Sequence, residues 1–255
     1  MENSSASPTS PDWPTHWLPD AFSWWRSIAV AIGLLLLILV VSAIVVGIYL
    51  RSTGAGPLSL THPTLGLALG LQIILDIAIV VFLVLILPRL ARLSLRDLGF
   101  TVPTWRQVGI AVLGAIAMVL VVNLLGSAIE SFFHVKHQQD VIKIALSINK
   151  SGMKAVFAVV ALVGAPLMEE FSFRIFIFNA VRRHWGFWGG AIVSAIVFGL
   201  AHADPYAFVP LAIGGIILCT VYYKTRNAWT SMITHALFNS VTIVALFVDP
   251  ALLKQ

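Results

Sequence analysis

Charge is what this chain has least of. Only 11% of its 255 residues are Asp, Glu, Lys or Arg, while 59% are hydrophobic, and the mean hydropathy is +0.94. Soluble domains carry roughly 25% charged residues, so this composition excludes an ordinary soluble fold. Cysteine is almost missing: Cys219 stands alone inside an apolar run, which rules out an intramolecular disulfide and any cysteine-based metal site. Neither a period-two alternation nor an internal repeat is present. The first absence leaves no β pattern, and the second removes the duplicated halves that many transporters carry. The N-terminus lacks a basic run. Met1 to Trp25 instead holds Glu2, Asp12, Asp20 and several prolines, and the apolar stretch after it exceeds the roughly 7–15 residues of a signal-peptide core.

What the chain does have is a series of apolar runs near the ~20 residues a membrane-crossing helix needs. They fall at Ser27–Leu50, Leu65–Leu87, Val108–Ile129, Ala155–Ala180, Phe187–Ala203, Phe208–Tyr223 and Ala228–Val248. The expectation is an all-α, polytopic helical bundle with about seven spans. Residues 1–25 are expected to form a flexible tail that meets the membrane surface through Trp13, Trp17, Trp24 and Trp25. Residues 26–130 hold the N-terminal transmembrane helices. In 131–152, Val141, Ile144, Ala145 and Ile148 recur at helical spacing among polar residues, which predicts an amphipathic helix at the interface. Residues 153–248 form a helical core, and 249–255 a short tail.

The net charge of +5 does not indicate nucleic acid, because the basic residues are scattered over the connections between apolar runs. They act better as orientation signals. Arg26, Arg89, Arg92, Arg96, Arg106, Arg182, Arg183, Lys224 and Arg226 share one side of a seven-span arrangement, the side predicted to face the cytoplasm. Arg51, Lys136, Lys143, Lys150, Lys154 and Lys254 fall on the other.

Against this background, ionisable groups inside the apolar runs stand out. Glu169 and Glu170 are adjacent in the fourth run, followed by Arg174. His202 ends the fifth and His235 lies in the seventh, with Asn239 four residues on. Charges at membrane depth are costly and mark function, and carboxylate with imidazole is equipment for activating water. Helical geometry groups them further. Glu169 lies sixteen residues before Trp185 and His202 seventeen after it, which puts both about 25 Å from the intervening turn at 1.5 Å per residue. His235 and Asn239 share a helix face, as do Phe198 and His202, and Glu170 and Arg174. Adjacent glutamates point about 100° apart, so one faces a water while the other is steadied by Arg174 or a neighbouring helix. Pro166 removes a backbone donor just ahead of the pair. Asp76 in the second run belongs to no such group and suits a paired structural role.

The ordered motifs Glu169-Glu170-x-x-x-Arg174, Phe198-x-x-x-His202 and His235-x-x-x-Asn239 resemble those of the CPBP family of intramembrane proteases. That family includes the CAAX prenyl endopeptidases of Rce1 type and the Abi and bacteriocin-immunity proteins. The resemblance covers roughly Ala155 to Val248, with Ile175 where relatives often carry Gly. It implies an intramembrane endopeptidase acting on a membrane-embedded or lipidated peptide within the lipid bilayer. Glu169 and His202 would activate water, His235 and Asn239 would hold the oxyanion, and Glu170, Arg174 and Phe198 would support them. A zinc ion is the cofactor such relatives are often given, and Glu169, His202 and His235 would be its ligands. Asn239 is a poor zinc ligand and a good oxyanion donor, which favours glutamate-activated water with no obligate metal. Neither a His-Glu-x-x-His nor a Gly-x-Ser-x-Gly motif occurs. Two other readings keep the same residues: a transporter or proton relay, and a non-catalytic immunity-like membrane protein.

Overall fold

The computed structural model describes residues 94–148, 151–202 and 204–253, with isolated helical positions between 70 and 81. The tail with its tryptophans, the Ser27–Leu50 run and Asp76 lie outside the described residues, and of the Leu65–Leu87 run only those isolated positions are described. Every described element is helical. α1 is Trp105–Phe133, α2 Asp140–Ser147 and α3 Ser151–Val159. A π-helical turn over Val160–Gly164 leads into α4, Ala165–Glu169. A second π-helical stretch, Glu170–Phe178, continues into α5, Asn179–Ala201. α6 is Phe208–Thr225 and α7 Ala228–Val248.

Local chemistry sets the ends. The hydroxyl of Thr104 accepts from the Gln107 amide while the Gln107 side chain accepts from the Thr104 amide, a reciprocal cap that starts α1. Its far end is closed by His134 in the left-handed conformation, φ 54°. α1 thus runs a few residues past the expected span at both ends. Asn227 caps α7 by accepting from the Thr230 amide, and its own amide group donates to the Thr101 carbonyl at 2.8 Å. With the Ala228 amide donating to Gly99 O at 2.9 Å, this pins the 94–101 loop onto the α6–α7 turn.

Among the described residues, four helical stretches are long and apolar enough to cross a membrane: Trp105–Phe133, Ser151–Ala201, Phe208–Thr225 and Ala228–Val248. The second has 51 residues, about 77 Å if straight at 1.5 Å per residue, against ~30 Å of hydrocarbon. It does not run straight. Gly186, with φ 67° and ψ −173°, takes a conformation that side-chain-bearing residues avoid and folds the stretch into an antiparallel hairpin. This is one residue beyond the turn expected at Trp185. The arms meet closely: Ser194 Oγ donates to Phe173 O at 2.7 Å, and the Phe173 and Phe198 rings meet edge to face at 5.2 Å.

Gly190 is where the arms touch. A Cβ there would stand 2.7 Å from Phe178 O and 2.8 Å from Arg182 Cβ. Gly190→Ala is therefore expected to force the arms apart at a cost of about 1–3 kcal/mol, read as a lowered unfolding midpoint in detergent. An unchanged midpoint would mean that the hairpin is looser than described.

The amphipathic segment packs inward as well as outward. Ala145 and Ile148 are buried against Phe157 of α3 and Ile243 and Leu246 of α7, whereas Val141 is exposed. The apolar face thus covers the α3–α7 seam on the bundle.

Candidate active site

Glu170 is the organising residue of the site. It is 1% exposed and Arg174 is 0% exposed, so neither charge has water to solvate it. Burial of that kind is tolerated only with partners. Three donors converge on the carboxylate. Arg174 NH1 lies 3.0 Å from Oε1, His235 Nδ1 lies 2.9 Å from the same oxygen, and the Ser231 hydroxyl donates to Oε2. The arginine contact lacks hydrogen-bond alignment and is Coulombic. The guanidinium also lies 4.5 Å from the Phe198 ring centroid and 5.9 Å from that of Phe173, so it uses aromatic faces where no acceptor stands.

Glu170 in turn orients His235. A carboxylate accepts, so Nδ1 carries the hydrogen, and Nε2 is turned the other way. There it faces Glu169, with Oε2 3.6 Å distant. That oxygen is buried and has no hydrogen-bond partner. An oxygen atom of a small molecule can lie within hydrogen-bond reach of both atoms at once. The two glutamates, adjacent in sequence, are thus given different surroundings by the helix turn: one is surrounded by donors and the other presents an oxygen with no hydrogen-bond partner.

His202 is placed differently. As the cap residue of α5 it is exposed, and its Nδ1 lies 2.8 Å from Phe198 O. A carbonyl can only accept, so Nδ1 holds the proton and Nε2 is free. No hydrogen bond or ion pair joins His202 to Glu169. The Phe198 ring packs against both imidazoles, with centroids 4.8 Å from His202 and 5.9 Å from His235. Asn239 donates through Nδ2 to Ala161 O at 2.9 Å. The structure therefore brings Glu169, Glu170, Arg174, Phe198 and His235 into one cluster, with His202 packed against the Phe198 ring and Asn239 one turn beyond His235 on α7.

Among the described residues, no three His, Cys, Asp or Glu side chains gather closely enough to hold a metal ion. Glu169 and His235 offer two adjacent donors, and His202 stands apart. The three-ligand zinc set implied by the motifs is not assembled.

Two features carried too little signal in the sequence. Ser231 lies four residues before His235, completing the stripe Ser231, His235 and Asn239 on one face of α7, but serine is common in apolar helices. The second is a clasp on the loop bearing His202. Asp204, two residues after it, accepts from His137 Nε2 at 2.7 Å and from the amides of Tyr206 and Ala207, while the Tyr206 ring packs on His137. This ties the α1–α2 connection to the α5–α6 loop. Burial alone would raise the Asp204 carboxyl. The hydrogen bond and charge of His137 and the two amides outweigh it and hold the group below its ordinary 3.8. A carboxyl titrating lower when folded adds stability above about pH 4 and loses it as pH falls through its folded value. Between pH ~5 and ~3, the unfolding midpoint of the native protein is expected to fall further than that of Asp204→Asn. Parallel curves would show that the clasp contributes nothing.

Known proteins resemble this region. The family of type II CAAX prenyl endopeptidases, Rce1-like, matches residues 151–241, which hold both glutamates, both histidines and Asn239. The membrane-embedded CAAX protease MroQ of Staphylococcus aureus is 35% identical over 103 residues, 38% of this chain and 41% of that protein. The putative membrane peptidase YdiL of Bacillus subtilis is 26% identical over 86 residues, 34% of this chain and 35% of that protein. The chain thus spans well under half the length of the curated relatives it matches. No solved structure matches. With helices long enough to cross a bilayer and relatives named for the membrane, the chain is a multi-pass integral membrane protein whose segment 151–241 is similar to the Rce1-like type II CAAX prenyl endopeptidases.

Proposed function

We propose that the protein is an intramembrane endopeptidase that hydrolyses a peptide bond with a water activated by Glu169. The observation that carries the proposal is the free, buried Glu169 Oε2 beside a histidine already oriented by a second glutamate. In this reading a water held between Glu169 Oε2 and His235 Nε2 gives its proton to Glu169 as its oxygen attacks the carbonyl carbon. The new C–O bond forms and the carbonyl electron pair moves to oxygen. Collapse of that intermediate breaks the C–N bond, and the proton returns from Glu169 to the leaving nitrogen. His202, with Nε2 free on the exposed side of Phe198, meets the incoming peptide and supports the water from that side. His235 Nε2 holds the water, and one Asn239 amide hydrogen remains to stabilise the oxyanion, a contribution of about 3 kcal/mol when such donors are removed elsewhere.

The substrate class is a membrane-embedded or lipidated peptide, a prenylated tail being one member. MroQ carries the CAAX designation in its name, which supports a lipidated or membrane-inserted tail for this chain. Comparing membrane peptides from cells with the native protein and with Glu169→Gln tests both activity and substrate. Peptides whose new termini depend on Glu169 are expected. Identical peptide sets would remove the peptidase reading.

A further inference from the structure

Pro166 and Asn239 lie on different helices, and nothing in the proposed chemistry relates them. The backbone does. At the end of the Val160–Gly164 turn the Ala165 amide reaches back five positions to donate to Val160 O. The next bond in that series runs from residue 166 to Ala161 O. Residue 166 is proline, which has no amide hydrogen. Ala161 O is the carbonyl that the missing hydrogen would have satisfied, and Asn239 Nδ2 donates to it at 2.9 Å. A backbone carbonyl at membrane depth cannot be left to water, so the donor removed by Pro166 is replaced from α7.

We infer that Asn239 is a positioning residue for Glu169, acting through the turn that Pro166 opens. Four steps connect them. Pro166 is buried and sits in the first turn of α4. Its missing amide hydrogen leaves residue 166 unable to donate to Ala161 O, next to the turn's own bond from Ala165 to Val160. The amide of Asn239 donates there instead and fixes the start of α4 against α7. Glu169 ends α4, three residues after the proline, and His235 sits four residues before Asn239 on α7. One hydrogen bond between these helices therefore sets the separation of Glu169 Oε2 and His235 Nε2. The Asn239 amide group has two hydrogens, and this bond uses one, so the second remains for the oxyanion. That side chain thereby has a task that precedes substrate. This positioning role rests on the proposed function only for the importance of where Glu169 points.

A double-mutant cycle tests it without any substrate. The full chain is purified in detergent as the native protein, Asn239→Ala, Pro166→Ala and the double variant. Thermal unfolding is one readout. The other is the rate at which dicyclohexylcarbodiimide, an apolar carboxyl reagent, modifies Glu169, measured by mass spectrometry. Asn239→Ala alone is expected to lower the midpoint by roughly 2–4 °C, the shift of one lost hydrogen bond in a chain of this size. It is also expected to change the Glu169 labelling rate by about threefold or more, as loss of under 1 kcal/mol of restraint would. In the Pro166→Ala background residue 166 regains its amide hydrogen, so the same Asn239 change is expected to move neither readout, and rescue of a poorly folded Asn239→Ala would count equally. Equal effects of Asn239→Ala in both backgrounds would overturn the inference. Neither readout requires peptidase activity, so failure of the cycle and failure of the proposed function are separate results.

Discussion

Glu169→Gln is expected to lower peptide cleavage by about a thousandfold, within the range of a lost general base, while leaving the unfolding midpoint nearly unchanged. Both halves of that expectation come from one atom. Glu169 Oε2 is buried but accepts no hydrogen bond, and the nearest opposite group, His235 Nε2, is 3.6 Å away. Replacing the oxygen by an amide breaks no hydrogen bond, so the stability change should stay within about 0.5 kcal/mol. The change does remove the group that takes and returns the proton. Rates of product formation set beside thermal unfolding of the same preparation separate the two effects. A substantial cleavage rate in a well-folded Glu169→Gln protein would remove Glu169 from the chemistry. His202→Ala is expected to lose cleavage with insertion into the membrane intact.

Arg174→Ala is expected to behave in the opposite way, through folding. It strips Glu170 of its cation at a place where neither group is exposed. Breaking one partner of a buried pair costs about 3–5 kcal/mol, and each kcal/mol lowers the midpoint of a chain this long by roughly 2–4 °C. The variant should therefore melt about 10 °C lower, or fail to give monodisperse protein in detergent. A double change, Glu170→Leu with Arg174→Leu, removes both charges and should recover much of that stability, because buried ion pairs are often no better than apolar residues of similar volume. It should not recover cleavage, since His235 Nδ1 would lose the acceptor that holds it. Unaltered melting of Arg174→Ala would show that Ser231 and His235 satisfy Glu170 by themselves.

These two variants mark where the sequence was legible. The helical class was plain in the long apolar runs. α7 has the bounds that the run Ala228–Val248 predicts, because Asn227 at its start and Asp249-Pro250 at its end are strong local signals. The i,i+4 pairing of Glu170 with Arg174 was also visible, since it depends only on helical spacing. The partner of Glu169 was not. Depth along antiparallel helices placed it level with His202, yet depth says nothing of rotation about the axis, and the Glu169 oxygen faces His235 on α7. The π-helical stretches explain part of this. Each adds a residue to a turn and rotates the residues after it relative to an α-helix, and no pattern of apolar residues records that rotation. Pro166 was its one trace in the sequence. The clasp of His137 on Asp204 was silent for another reason. The two residues lie in different polar connections, and only the closed bundle brings those connections together.

The proteolytic claim is tested most directly in liposomes that contain this protein alone and a membrane-inserted peptide identified from the Glu169-dependent set. Mass spectrometry of the peptide over time, with the ion gradient across the same liposomes monitored, gives both possible activities in one preparation. Two cleaved fragments are expected, their appearance stopping with Glu169→Gln, with no gradient-dependent flux. An intact peptide in the presence of folded native protein, together with ion flux that depends on Glu169, would contradict the proteolytic claim.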